Sequence, residues 1–367
     1  MKIIFTRFIF FSAIVLLSIF EIEGQNSINT SIGVRPQYGF IIAHRPSVLY
    51  LAQQHVPAIE IFYQQKSKRE NINQAYLFPN VGYSLLYLDF RNKKYLGKAI
   101  SLDRFIDLDL SKNKNKISVR LGAGIAYLTN AFDRIETNKN LAISTKLNIH
   151  LAVGLQYVKQ LKNFTMSGGI IYNHYSNGSF KIPNLGINVP ALQLGIAYAI
   201  KKDNLPDRVE KIIFNKSSNV TINASFGAKE SYRVYGKKFF VGSVYGMYQK
   251  NISLKSFLIG GVDLIYNASL NARVKSEFIE PITNKFAIVQ LGLNIGYGLK
   301  FNKLELLFQS GVYAISNYKL DGFIYSRLSS RYFISNKLFL LFALKSHFAK
   351  ADYGEIGLGF KMNCKGK

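Results

Sequence analysis

Apolar and polar residues alternate with period two through long stretches of this chain. In residues 117–128, Ile117, Val119, Leu121, Ala123, Ile125 and Tyr127 hold one register, with Ser118, Arg120, Gly122, Gly124 and Ala126 between them. Residues 287–298 repeat the arrangement: Ala287, Val289, Leu291, Leu293, Ile295 and Tyr297 alternate with Gln290, Gly292, Asn294, Gly296 and Gly298. In 354–362 the apolar register is Ile356, Leu358, Phe360 and Met362, with Glu355, Gly357, Gly359 and Lys361 facing the other way. Period two is the pleat of a β-strand. The alternating runs are long, about 10 to 14 residues, where a soluble strand has about 5 to 6 and a tilted membrane strand needs about 9 to 11. The face opposite the apolar one is rich in Gly and small polar residues, as suits a narrow barrel interior, and not uniformly charged as on a soluble sandwich. The pattern predicts an all-β fold, an antiparallel transmembrane β-barrel with an even number of strands, about 14 to 16.

Sixteen segments fit: 31–44, 56–66, 79–91, 95–108, 115–128, 145–158, 164–176, 190–201, 219–229, 237–249, 253–267, 286–300, 303–316, 322–333, 337–348 and 352–363. Long connections at 45–55, 129–144, 177–189 and 268–285 follow odd-numbered strands. Short ones at 159–163, 250–252 and 301–302 follow even-numbered strands. That is the expected asymmetry of outer loops and periplasmic turns. Two connections break it, 67–78 and 202–218. The second (KDNLPDRVEKIIFNKSS) reads as a linker, a periplasmic excursion, or a seam between two halves.

Composition narrows the class. Of 367 residues, 48% are hydrophobic and 19% charged, which excludes a disordered polar chain. Phe (28), Tyr (23) and Gly (28) are abundant and Pro (8) is scarce, which favours strands over helices. The single Cys364 excludes a disulfide framework or a cysteine-rich zinc fold within the chain. At the N-terminus Lys2 and Arg7 precede the apolar run 8–20, the order of a secretory signal peptide, with cleavage expected after Gly24. The expected organisation is a signal peptide over 1–24 and an outer-membrane barrel over 25–367. In an exported barrel the net charge of +26 fits contact with anionic, phosphorylated lipid better than nucleic acid.

The stretch 172–198, YNHYSNGSFKIPNLGINVPALQLGIAY, carries candidate chemistry. His174 and Ser176 are two apart on a strand and share the apolar register of Ile170 and Tyr172, so both point outward. A Ser beside a His is the minimum for an activated acyl-transfer nucleophile. On the lipid-facing side such a pair costs desolvation with no structural return. The Asn- and Gly-rich segment that follows can supply N–H donors for an oxyanion. H-x-S alone is a weak motif, and Asn177-Gly178-Ser179 is also a turn signal and an N-glycosylation sequon. His44, His55, His150 and His347 are scattered and read as unpaired, which predicts no metal site. No cofactor motif appears.

HYSNG followed by PNLGIN resembles the signature of the lipid A 3-O-deacylase family, also known as acyloxyacyl hydrolases. GFIIAHRP at 39–46, LGAGIAYLTNAFD at 121–133 and NLAISTKLN at 140–148 are similar to its longer members. The resemblance covers about 31–200, so 25–201 is the deacylase-like part, 202–218 a linker, and 219–367 further barrel strands. It implies an outer-membrane enzyme that removes an ester-linked acyl chain from lipid A of lipopolysaccharide. Ser176 would be its nucleophile and His174 its base, with Asn177, Gly178 and Asn184 at the oxyanion. The family's third catalytic member is a Glu, and the matching position here is Asn188. An Asn can orient the imidazole but cannot neutralise imidazolium. Glu355 lies in an inward register; Asp133 and Glu136 lie in an outer loop and are better placed as substitutes. The alternative is a non-catalytic barrel, a channel, transporter or structural protein, on the same scaffold.

Overall fold

A computed structural model describes residues 29–67, 71–113, 115–201, 214, 216–230, 234, 236–276, 288–318, 321–348 and 350–364. The signal-peptide segment lies outside them, as does most of 202–218. Sixteen strands are present: β1 (Thr30–Gly39), β2 (Val56–Lys66), β3 (Asn80–Asn92), β4 (Gly97–Asp109), β5 (Asn115–Leu128), β6 (Leu147–Gln160), β7 (Phe164–Ser176), β8 (Ile187–Lys201), β9 (Ser218–Glu230), β10 (Lys238–Asn251), β11 (Ser256–Asn267), β12 (Val289–Phe301), β13 (Leu304–Ile315), β14 (Ile324–Phe333), β15 (Leu338–His347) and β16 (Lys350–Asn363). No helix among the described residues is long and apolar enough to cross a membrane.

The sixteen strands close as two antiparallel barrels of eight, not as one ring of sixteen. β1 pairs with β8, running from Gly39 opposite Ala191 to Thr30 opposite Lys201. β9 pairs with β16, from Phe226 opposite Ile356 to Asn219 opposite Asn363. The chain divides into two compact units accordingly. Connection 202–217 therefore joins two closed barrels, which accounts for its length where a turn was expected. Connection 67–78 departs for another reason: it carries the short helix Asn71–Ala75. Strand alternation is identical in one large barrel and two small ones, but the interior differs. Eight strands leave room only for side chains, whereas sixteen leave an aqueous channel. The Gly-rich inner face belongs to the narrow case. A Cβ at Gly33 would come within 2.5 Å of the Phe62 ring, and one at Gly359 within 2.2 Å of Phe339.

The outward apolar register of the first barrel is exposed, as at Leu192 (69%), Leu194 (68%) and Ile170 (57%). In water that surface is unfavourable. In a bilayer it is the required face, and closure leaves no unpaired strand edge. These are outer-membrane barrels.

The interior of the first barrel is filled. Its middle holds an ion network: Glu60 bridges Arg35 (2.8 Å) and Arg120 (2.6 Å), and Arg120 also grips Asp107 through two bonds at 2.7 and 2.8 Å. Asp103 binds His150 Nδ1 at 2.9 Å, whose Nε2 meets Asn173 Oδ1 at 3.2 Å, and Asn173 donates to Gln37 at 3.1 Å. At the outer end an apolar cluster including Val48, Leu51, Phe90, Leu96, Ile143, Tyr175 and Ile187 closes the lumen. A polar cavity of about 580 Å³, lined by Arg35, Lys66, Asp109 and Lys116 among others, remains at the periplasmic end. In the second barrel, buried Asp263 accepts from Asn294 (2.9 Å), Tyr325 (2.5 Å) and Arg327 (2.7 Å), and Glu355 accepts from Ser225 (2.8 Å) and Ser243 (3.1 Å).

Candidate active site

The site lies at the outer ends of β7 and β8, which are hydrogen-bonded neighbours with His174 directly opposite Asn188. Alternation divides the end of β7. Asn173 and Tyr175 point inward and are buried. Tyr175 stacks on the His150 ring at 4.6 Å and meets Phe90 edge-on at 5.9 Å. His174 and Ser176 share the outward register with Tyr172; Tyr172 is exposed, His174 half-buried and Ser176 buried. The inward residues thus fix the strand end from behind.

His174 Nδ1 and Asn188 Oδ1 are 2.6 Å apart. Because Oδ1 only accepts, Nδ1 carries the proton, and Nε2 is left with a lone pair. Residues i and i+2 of a strand are about 6.6 Å apart, a span that an imidazole lying along the strand covers toward Ser176. No hydrogen bond joins Nε2 to Ser176 Oγ here; catalytic hydrogen bonds are often long without substrate. Gly186 lies against the ring. Its φ is +81°, and a Cβ there would sit 2.9 Å from His174 Cε1, so only Gly allows the imidazole this position.

Two loops hold the surroundings. Gly186 N–H donates to Ala142 O (3.0 Å) and Leu185 N–H to Leu141 O (3.3 Å), tying the β7–β8 loop to the β5–β6 loop. The second loop is itself anchored by buried Asn140, which donates to Tyr95 O (2.8 Å) and accepts from Ile143 N–H (3.2 Å). Asn177 Nδ2 reaches Ser144 Oγ (3.1 Å) and Thr145 Oγ1 (3.2 Å) in the same loop. These loop contacts were invisible to periodicity.

The oxyanion candidates are arranged differently from the sequence expectation. The Asn177 N–H is donated to Asn184 Oδ1 at 3.0 Å, so it is engaged. That bond fixes the amide of Asn184, whose buried Nδ2 has no hydrogen-bond partner among the described residues. An unpartnered buried donor is a group that an oxyanion could satisfy. Gly178 has φ +63°, the left-handed turn conformation that Gly adopts without strain.

The carboxylates proposed to replace the missing Glu do not bond His174, whose described partner is Asn188. Asp133 Oδ1 caps its own loop through Ile135 N–H (2.8 Å) and Glu136 N–H (3.1 Å). Glu355 is buried in the second barrel. Instead, Asn188 Nδ2 lies 3.1 Å from His44 Nδ1, and His44 Nε2 lies 3.0 Å from Leu185 O. His44 lies in the GFIIAHRP stretch at 39–46, but its contact with Asn188 was not readable because the β1–β8 closure that places it was not. The reading of the other histidines as unpaired is also corrected. His150 pairs with Asp103, and His347 lies 3.7 Å from Asp352 and 3.9 Å from Asp321. Among the described residues no group of three or more His, Cys, Asp or Glu is placed to hold a metal. Cys364 is exposed and His55 stacks on Tyr38 at 5.3 Å.

Two family models match the chain. Residues 58–197 match lipid A 3-O-deacylase, and residues 218–364 match the acyloxyacyl hydrolase C-terminal domain. No curated protein matches. Among solved structures, the outer membrane enzyme PagL is similar over 44% of this chain and 97% of its own, with 17% identity and a TM-score of 0.33. Neisserial surface protein A is similar over 46% of this chain and 96% of its own, with 13% identity and a TM-score of 0.30. The Acinetobacter baumannii protein OccAB3 is similar over 92% and 98%, with 11% identity and a TM-score of 0.23.

Proposed function

Because this chain belongs to the lipid A 3-O-deacylase and acyloxyacyl hydrolase family, we propose that its first barrel is a serine esterase of the outer membrane that removes an ester-linked acyl chain from lipid A. Ser176 Oγ attacks the ester carbonyl while His174 Nε2 accepts its proton. Asn188 Oδ1 holds the Nδ1–H and keeps the ring in that tautomer. The oxyanion of the tetrahedral intermediate takes a hydrogen bond from Asn184 Nδ2 and one from the Gly178 N–H. The C–O bond to the sugar breaks, and His174 returns the proton to the leaving alkoxide. Water then enters by the same route: His174 takes a proton from it as the water oxygen attacks the acyl carbonyl, the bond to Ser176 Oγ breaks, His174 returns the proton to Oγ, and a free fatty acid leaves. No metal or cofactor takes part in this scheme.

The observation that carries the reading is the outward His174–Asn188 bond of 2.6 Å, with Ser176 on the same face. Substrate acyl chains lie in the outer leaflet against that face, beside Ile170, Tyr172 and Leu192. Exposed Arg45, Lys93, Lys94, Lys139 and Lys146 in the outer loops and at their margins suit the phosphates of the headgroup. The second reading, a non-catalytic barrel, draws on Asn at position 188. As a channel it is disfavoured by the filled lumen of the first barrel.

The test is a mass spectrum of lipid A from Gram-negative cells that express the chain. Loss of one acyl group with the parent and none with Ser176→Ala is expected. Unchanged lipid A with a folded barrel in the outer membrane supports the second reading.

A further inference from the structure

The Asn at position 188 poses a chemical question. A Glu presents two equivalent oxygens, so it holds a neighbouring imidazole whichever way it turns. An amide does not: a flip of Asn188 would set its NH₂ against His174 Nδ1, impose the opposite tautomer, and place a proton on the nitrogen that must accept one from Ser176. Something must therefore fix the amide.

His44 meets that need. Leu185 O is an acceptor only, so the 3.0 Å contact puts the His44 proton on Nε2. In the neutral ring Nδ1 is then an acceptor, and it lies 3.1 Å from Asn188 Nδ2. The longer 3.4 Å approach of the same nitrogen to Ile42 O is left without a hydrogen. The amide donates to His44 and turns its oxygen to His174 Nδ1 at 2.6 Å. One direction of donation runs along the whole chain: His174 Nδ1–H to Asn188 Oδ1, Asn188 Nδ2–H to His44 Nδ1, His44 Nε2–H to Leu185 O. Every orientation is set by the carbonyl at its end. That carbonyl is itself held, since Leu185 N–H and Gly186 N–H bond Leu141 O and Ala142 O.

We propose that His44 is a positioning residue: it locks the Asn188 amide so that an uncharged side chain can do the orienting work of a carboxylate. This rests on the esterase reading above. His44 lies outside the strands, between β1 and the Pro46–Leu49 helix, 144 residues from its partner. It touches no reacting atom.

The test compares two backgrounds in the full-length, detergent-folded protein, with short-chain p-nitrophenyl esters and purified lipid A as substrates. In the parent, His44→Ala is expected to lower kcat about tenfold or more with little change in KM. Asn188→Asp is isosteric and presents oxygen either way, so in that background His44→Ala is expected to change kcat less than about twofold. Equal losses in both backgrounds would mean that His44 merely supports the loop, and would overturn the proposal. A second readout does not need activity. In ¹⁵N-histidine spectra, with the five His assigned by single substitutions, His44 is expected as the Nε2–H tautomer and His174 as Nδ1–H. In His44→Ala, His174 is expected to become a mixture of tautomers. An Nδ1–H tautomer at His44, or an unmoved His174, would overturn the proposal even if every form were inactive. A parent no more active than Ser176→Ala would instead count against the esterase reading.

Discussion

Glycine 186 is the residue on which the imidazole rests, and its effect can be isolated. Ala there would place a methyl 2.9 Å from His174 Cε1 on a backbone with φ +81°. Gly186→Ala is expected to leave the barrel folded, judged by circular dichroism, and to reduce kcat at least about tenfold by displacing the ring. Asn184 is the second residue-scale test. Removing an oxyanion donor costs about 10² to 10³ in kcat elsewhere, and Asn184→Ala should fall in that range with KM little changed. Alternation places His174, Ser176 and Asn188 in the outward register of two neighbouring strands, and the pairing of His174 with Asn188 agrees with that; their catalytic roles came from the family resemblance. The sequence misassigned the Asn177 N–H, which the Asn184 side chain engages. It missed His44 and Gly186, whose roles exist only once loops distant in the sequence are brought together.

At the scale of elements, β7 and the β5–β6 loop act as a frame. The inward residues of β7 lock into the lumen through the Asn173–His150–Asp103 chain, while the outward register holds His174 and Ser176, the proposed base and nucleophile. Asn140 is the keystone of the loop, buried and bonded to Tyr95 O and Ile143 N–H. Asn140→Ala is expected to cost about 1–3 kcal/mol of barrel stability by leaving buried partners unsatisfied, measured as a lower urea midpoint. Activity should fall too, since Ala142 O no longer holds Gly186 in place. Some strand boundaries were readable to the residue, as 115–128 and 164–176 coincide with β5 and β7, while 190–201 began three residues late against β8. The 31–44 strand ends early, at Gly39, because its continuation bends into the loop that carries His44.

For the whole molecule, the decisive difference is closure. Periodicity reports which way a side chain faces but not which strand completes the ring, so sixteen strands were legible and two barrels were not. The long 202–218 connection and the Gly-rich inner faces were the available hints. Each barrel has its own closed hydrogen-bond ring and its own filled interior. A split at the 202–217 connection is therefore expected to give two barrels that each refold in detergent, with esterase activity in the first alone. β15, the seventh strand of the second barrel, carries Leu344 and Ser346 in its outward register, so a leucine stands where β7 has the proposed base His174. Glu60 is the shared carboxylate of Arg35 and Arg120. Glu60→Ala would leave the buried Arg35 guanidinium without its carboxylate while Arg120 keeps Asp107, and a loss of about 3–5 kcal/mol is expected in the first barrel, read as a lower melting temperature.

In the proposed esterase, Ser176 is an activated nucleophile. That role is tested most directly by treating the folded protein with a long-chain alkyl fluorophosphonate and mapping the adduct by peptide mass. One adduct on Ser176, absent from Ser176→Ala and strongly slowed in His174→Ala, is the expected result. An unlabelled Ser176 in a folded barrel, or labelling at an unchanged rate without His174, would contradict it.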